Sequence, residues 1–171
     1  MSTRAVFDCM VFLQAVTNEQ GPAFACVDLV EQEKLQLIVS PAIMAELRDV
    51  LSRPKVRAKF PHLTDERVEG FLHWLEDKGI TLAEVPRVFE YPRDPDDEPY
   101  INLAIASDAR YLVSRDKDLL DLIADKDFRQ RFPNLTILNP VALLQKLALE
   151  RLPEQNPEHA PERERGQDIN H

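Results

Sequence analysis

The chain has 171 residues, 44% of them hydrophobic and 30% charged, which predicts one globular domain with a substantial buried core. Its formal net charge of −9 argues against a broad electropositive surface for nucleic acid, but it does not exclude a nuclease whose carboxylates bind cations. Two cysteines are too few for a disulfide framework, no apolar run could span a membrane, and no signal peptide is apparent, so a cytoplasmic protein is expected.

The chain opens with an apolar run, Ala5–Phe7, that stops at Asp8. This pattern predicts a buried parallel strand that ends in a carboxylate. Residues 10–16 continue as a helix, and Pro22 begins a second helical stretch after a polar turn.

The second predicted strand, Leu35–Val39, leads directly into a helix. Ser40 followed by Pro41 is a strong helix start, because serine caps the first turn and proline fits the first helical position. Glu46 lies at the edge of the apolar stripe of this helix. It either belongs to a site or forms a salt bridge with a nearby arginine such as Arg48.

A dense basic run occupies residues 53–59. It is either a solvated linker between helices or a patch that contacts substrate phosphates through Arg53, Lys55 and Arg57. A helix capped by Thr64 follows and ends at Gly79. Ile80–Val85 is predicted to form a third, weaker strand.

Four acidic residues crowd into positions 94–98, just before an apolar segment at 100–106 that predicts a buried helix. Pro99 suits the first turn of that helix. Carboxylates at a helix start are also favoured by the helix dipole, so a solvated cap is the simplest interpretation of this cluster. The acids are Asp94, Asp96, Asp97 and Glu98.

The last third of the chain repeats the alternation of strand and helix. Tyr111–Ser114 predicts a fourth strand, and Asp116 follows it just as Asp8 follows the first. A short helix at Leu119–Ile123 precedes the fifth strand, Leu135–Leu138. Asn139-Pro140 caps the last helix, residues 141–149.

This alternation predicts an α/β fold, a three-layer α/β/α sandwich around a central, mostly parallel five-stranded sheet. One domain is expected over residues 1–149. Residues 150–171 are rich in proline and charge, which predicts a disordered tail.

In open parallel sheets, sites lie at the carboxyl ends of the strands, so Asp8, Asp97 and Asp116 should converge there with Glu46 leaning over the same edge. Carboxylates gathered in a dry pocket cannot all ionise without a cation, and hard divalent metals prefer oxygen ligands. Neither a cysteine–histidine zinc pattern nor a glycine-rich phosphate loop is present in the sequence.

Five segments, taken in order, resemble the PIN-domain nucleases and, more narrowly, the toxin components of toxin–antitoxin systems. The resemblance covers residues 4–149 and rests on Val6–Asp8, Ser40–Glu46, Leu51–Lys55, Arg93–Asp97 and Tyr111–Leu119. It implies a PIN-like fold, an Mg²⁺- or Mn²⁺-dependent ribonuclease acting on RNA, an antitoxin protein as partner and a homodimer.

The resemblance also implies roles for individual residues. Asp8, Glu46, Asp97 and Asp116 become the catalytic, metal-binding acids, with Ser114 supporting the last of them. Asp97 is preferred to its acidic neighbours because Tyr100 and Ile101 then share one helical face with it. Cys9 and Met10 stand where the family usually has Thr or Ser and then an Asn that braces the acids.

Two other functions are compatible with this pattern. A catalytically weakened PIN-fold binding module is favoured by Met10, since its side chain cannot form the bracing hydrogen bond. A phosphoryl-accepting receiver domain also carries acids at its strand ends, but it needs a lysine after the last strand, where this chain has Asn139-Pro140.

Overall fold

Five parallel strands form a single central sheet in the computed structural model, which describes residues 3–151. The strands are β1 (Thr3–Phe7), β2 (Leu35–Val39), β3 (Ile80–Thr81), β4 (Tyr111–Val113) and β5 (Thr136–Leu138). Their order across the sheet is β3-β2-β1-β4-β5, and every neighbouring pair is parallel. Helices cover both faces of the sheet, so the predicted α/β/α sandwich is confirmed.

Capping side chains begin several of the helices at the predicted positions. The Ser40 hydroxyl accepts the Ile43 N–H at 3.2 Å, and Thr64 and Asn139 cap later helices in the same way. None of the helices in residues 3–151 is long and apolar enough to cross a membrane. The helices are α1 (Cys9–Thr17), α2 (Pro22–Glu31), α3 (Pro41–Ser52), α4 (Pro54–Lys59), α5 (Asp65–Lys78), α6 (Glu98–Ala106), α7 (Lys117–Leu122), α8 (Lys126–Arg131) and α9 (Pro140–Glu150).

The centre of the sheet is buried on both faces, which explains why its strands are nearly continuous apolar runs. Residues 5–7 of β1 and all of β4 are buried. The short helix α6 packs across β1, β2 and β4. Its amino-terminal end is therefore anchored to the middle of the core.

The predicted third strand at Ile80–Val85 is wrong in its extent. Only Ile80 and Thr81 pair with β2, and both are exposed. The chain from 83 to 94 then runs without regular strand pairing because side chains of α6 satisfy its backbone. Asn102 accepts the N–H groups of residues 88 and 89 at 2.9 and 2.8 Å, and Glu98 accepts the Tyr91 N–H at 2.7 Å.

Two further expectations concern segments outside the sheet. The basic run at 53–59 is not an irregular linker, because its residues from Pro54 onward form α4. The predicted tail at 150–171 lies outside the described residues except for Glu150, the last residue of α9, and Arg151.

Candidate metal centre

The two central strands, β1 and β4, are neighbours in the sheet, and the chain leaves them toward opposite sides. Strand β1 connects through α1 and α2 to β2 on one side, whereas β4 connects through α7 and α8 to β5 on the other. Such a switch point leaves a crevice at the carboxyl ends of the two central strands. Asp8 follows β1 and Ser114 follows β4, so both lie at this crevice.

Asp8 is the N-cap of α1 and is only 5% exposed. Its Oδ1 accepts the N–H of Val11 at 3.0 Å, and its Oδ2 accepts the hydroxyl of Ser114. The backbone N–H of Asp8 also donates to the carbonyl of Val113 at 3.0 Å. The sheet, the helix cap and the serine together fix the orientation of this carboxylate.

Ser114 joins the acids that follow the two central strands. It is fully buried, at 0% exposure, and its Oγ accepts the N–H of Asp116 at 2.9 Å while its hydroxyl donates to Asp8. Asp116 in turn caps α7 by accepting the Asp118 N–H at 2.8 Å. Asp8 and Asp116, 108 positions apart in the sequence, are thus linked through one side chain.

A 3₁₀ turn, Pro95–Asp97, brings two more carboxylates to the same place. Asp94 caps this turn, and Asp97 immediately precedes α6 and is 8% exposed. One oxygen from each of Asp94, Asp97 and Asp116 lies within 4.8 Å of the other two. Helical periodicity favoured Asp97 over Asp94 as the site residue. The 3₁₀ turn nevertheless places a carboxylate oxygen of Asp94 in the same cluster.

Glu46 reaches the crevice from α3. Its Oε2 accepts a hydrogen bond from the hydroxyl of Tyr100 at 2.8 Å, and Tyr100 is buried in α6. The alternative salt bridge between Glu46 and Arg48 does not form, because Arg48 pairs with Glu69 on α5. Tyr100 therefore ties Glu46 to the helix that follows Asp97.

A cleft of about 330 Å³ contains all four acids named from the sequence. Met10, which stands where the sequence resemblance usually has an asparagine, lies in its wall and is 50% exposed. Arg115 also lines the cleft and was not singled out as a site residue. The remaining lining residues include Cys9, Gln14, Asp96 and Tyr100.

The three basic residues proposed from the sequence lie outside the lining of this cleft. Arg53 donates two hydrogen bonds to one oxygen, Oδ2, of Asp49, at 3.1 and 2.8 Å. Arg57 pairs with Asp65 at 2.8 Å and donates to the carbonyl of Leu51 at 2.6 Å. Lys55 is exposed on α4. The two arginines thus already have acceptors within the domain.

Two of the acids, Asp8 and Asp97, have raised pKa values and are therefore difficult to ionise where they lie. Burial raises the pKa of Asp8 from 3.8 to about 6, partly offset by its hydrogen bond from Ser114. Burial, followed by the negative charges of Asp116 and Asp94, raises the pKa of Asp97 to about 8. Desolvation and like charge both disfavour the carboxylate form, and a bound cation would reverse both effects.

The donor set fits a hard divalent cation. Asp97 Oδ2 is buried and has no hydrogen-bond partner among the described residues, although a buried acceptor left unpaired costs free energy. Asp94 and Asp116 each place a carboxylate oxygen within 4.8 Å of an oxygen of Asp97, and carboxylate oxygens are the ligands that Mg²⁺ and Mn²⁺ prefer. A cation at this point would satisfy the unpartnered oxygen.

Comparison with known proteins agrees with this geometry. The uncharacterized protein MJ1680 of Methanocaldococcus jannaschii is 29% identical over 119 residues, which are 70% of this chain and 74% of that protein. The crystal structure of PAE2754 from Pyrobaculum aerophilum aligns with a TM-score of 0.51 at 17% identity, over 87% of this chain and 98% of the other, and supports the fold alone. The PIN domain family matches residues 4–118, more than half of the sequence. This protein therefore belongs to the PIN domain family, whose members are generally nucleases that use divalent metals.

Proposed function

We propose that this protein is a metal-dependent endoribonuclease that hydrolyses RNA phosphodiester bonds. The observation that carries the proposal is the buried, unpartnered Oδ2 of Asp97 beside oxygens of Asp94 and Asp116. Membership of the PIN domain family supports the reaction class. The position of these acids at the switch point of a parallel sheet supports a substrate crevice there.

The acids would divide the work of the site. Asp94, Asp97 and Asp116 would hold Mg²⁺ or Mn²⁺, and Asp8 would add the acceptor capacity that Val11 and Ser114 leave free. When bound, such a cation lowers the pKa of a water ligand and neutralises charge that develops on the phosphodiester.

Glu46 is suited to bind a cation or to orient the attacking water. Tyr100 occupies its Oε2, which leaves Oε1 available to accept a proton or a hydrogen bond from water. Because Tyr100 is buried in α6 and Glu46 lines the cleft, this hydrogen bond restrains the Glu46 carboxylate at the cleft wall.

The test is cleavage of a single-stranded RNA with Mg²⁺ or Mn²⁺ by the wild type and by Asp8→Asn and Asp97→Asn. We expect each variant to lose at least about 100-fold in rate, since changes in outer-shell partners alone cost roughly 10- to 100-fold. Asp77→Asn, an exposed acid on α5, is the control and should cleave normally. Equal activity in all four proteins would refute the assignment.

A PIN-fold binding module without catalysis is the second candidate, favoured by the exposed Met10 in the wall of the cleft. Calorimetric titration with Mn²⁺ separates the two functions. Binding that is lost in Asp97→Asn supports the nuclease, whereas RNA binding without Mn²⁺ binding or cleavage supports the module.

The finer part of the proposal is a toxin that forms a homodimer, acts on cellular RNA and is neutralised by an antitoxin protein. It rests on the resemblance of the sequence segments to toxin components of toxin–antitoxin systems. Induced expression in a bacterial host should halt growth with the wild type and not with Asp97→Asn. Growth unaffected by an active wild-type nuclease would refute the toxin role and leave the nuclease intact.

A further inference from the structure

Arg115 is the basic side chain in the lining of the acidic cleft. It lies in the turn from β4 to α7, between Ser114 and Asp116, and it is exposed. The lining otherwise supplies five carboxylates, from Asp8, Glu46, Asp96, Asp97 and Asp116. A cation so placed would be expected to pair with one of them.

The ion pairs within residues 3–151 nevertheless do not include Arg115, although most of the other arginines in this range do form salt bridges. Arg93 pairs with Asp118 at 2.7 Å, Arg87 with Glu98 at 3.0 Å, and Arg53 with Asp49 at 2.8 Å. The adjacent Asp116 instead accepts a backbone N–H from α7. The Arg115 guanidinium is therefore free for a ligand that the domain does not contain.

A phosphate group of an RNA strand would suit this guanidinium. The carboxylates of the cleft repel a phosphodiester, so a strand needs a fixed positive group beside them to stay in place. The guanidinium presents a planar fork of N–H donors that matches two phosphate oxygens and stays charged at any working pH. We propose that Arg115 binds a phosphate group of the substrate strand and positions the strand over the metal-binding acids; this inference rests on the proposed nuclease function.

The inference changes the predicted location of substrate contacts. The sequence pointed to Arg53, Lys55 and Arg57 on α4, but Asp49 and Asp65 already neutralise the two arginines. Arg115 has no such competitor among the described residues and lines the cleft itself. The turn between β4 and α7 would thus supply both the phosphate contact, through Arg115, and a metal-binding acid, Asp116.

The first experiment measures steady-state cleavage of a single-stranded RNA oligonucleotide with Mn²⁺. Arg115→Ala should raise KM about tenfold, by a similar factor for oligonucleotides of different sequence, because a phosphate contact carries no base information. Arg115→Lys should recover part of the loss. The control is Lys34→Ala, which removes the same charge just before β2, at the opposite edge of the sheet, and should leave KM unchanged.

The second experiment measures RNA affinity against salt concentration in the Asp97→Asn background, where we expect cleavage to be at least about 100-fold slower. Removing one phosphate contact should reduce the slope of log K against log salt by about 0.7. A KM and a slope unchanged by Arg115→Ala would overturn the inference while the wild type still cleaves. A wild type that neither binds nor cleaves RNA would overturn the proposed function, and the inference with it.

Discussion

Replacing Asp97 with asparagine should abolish cleavage and yet stabilise the metal-free protein at alkaline pH. Asp97 is 8% exposed, and its pKa is raised from 3.8 to about 8 by burial and by the charges of Asp116 and Asp94. The unfolded chain ionises Asp97 near pH 4, whereas the folded protein resists its ionisation. The contribution of protonated Asp97 to the free energy of unfolding is therefore fully present below about pH 4, and it is lost as the pH rises through about 8.

The size of the effect follows from that interval. At about 1.4 kcal/mol for each pKa unit, a rise from 3.8 to about 8 sets a ceiling of roughly 6 kcal/mol on the loss. Because Asp97 faces a cleft that water can enter, we expect roughly 2–4 kcal/mol. Asparagine escapes this loss, since it cannot ionise and its amide can donate to the neighbouring carboxylates.

The assay is urea unfolding of the metal-free wild type and Asp97→Asn at pH 9 and at pH 5. The variant should be the more stable protein at pH 9, and the difference should shrink toward pH 5. Glu98→Gln is the matched control, because Arg87 and the Tyr91 N–H hold the pKa of Glu98 below its usual value. That variant should be destabilised at neutral and alkaline pH. Destabilisation of Asp97→Asn at pH 9 would refute the idea that burial and the neighbouring charges disfavour an ionised Asp97.

Three further substitutions test the support of the site and of the fold. Ser114→Ala should lower the free energy of unfolding by about 2–4 kcal/mol in urea titrations, because it removes hydrogen bonds to Asp8 and from Asp116. Tyr100→Phe keeps the buried ring but releases Glu46, so metal-dependent cleavage should fall about tenfold while the melting temperature stays nearly unchanged. Gly79→Ala should cost about 1–3 kcal/mol in urea, because its Cβ would lie 2.6 Å from the carbonyl of Leu75.

Each of these expectations has a clear contradictory result. A Ser114→Ala protein as stable as the wild type would mean that the buried serine is dispensable. A Tyr100→Phe protein with full cleavage would show that Glu46 needs no support from α6. A neutral Gly79→Ala substitution would show that the backbone at the end of α5 adjusts freely to relieve the contact with the Leu75 carbonyl.

The parts of the fold that strong local signals encode were predictable from the sequence. Buried strands appear as apolar runs, and Ser40, Thr64 and Asn139 mark helix starts because their side chains satisfy free N–H groups. The third strand was overextended because residues 82–85 carry the apolar character of a strand. The backbone N–H groups of residues 88, 89 and 91, which follow that strand, donate to side chains of Asn102 and Glu98 in α6. No local pattern in the sequence indicated these contacts.

The candidate site divides in the same way. The strand-end positions of Asp8 and Asp116 follow from the sequence, since parallel strands bring their carboxyl ends to one edge. Asp94 was missed because its place depends on a 3₁₀ turn, which leaves no periodic pattern. Arg115 was missed because it stands out only by lining the cleft without forming a salt bridge. That depends on the partners that the neighbouring acids find in the folded structure, which the sequence does not show.

The carboxylates of Asp8 and Asp116 also serve as helix caps, so under the proposed function the same side chains would support both the architecture and the chemistry. A related protein without catalytic activity would still need a hydrogen-bond acceptor at these two positions for the backbone N–H groups that begin α1 and α7. Asparagine or serine would meet that need, whereas alanine would cost about 1 kcal/mol at each helix. Among diverged relatives, replacement of both acids by short polar residues would therefore be the mark of lost chemistry with a retained fold.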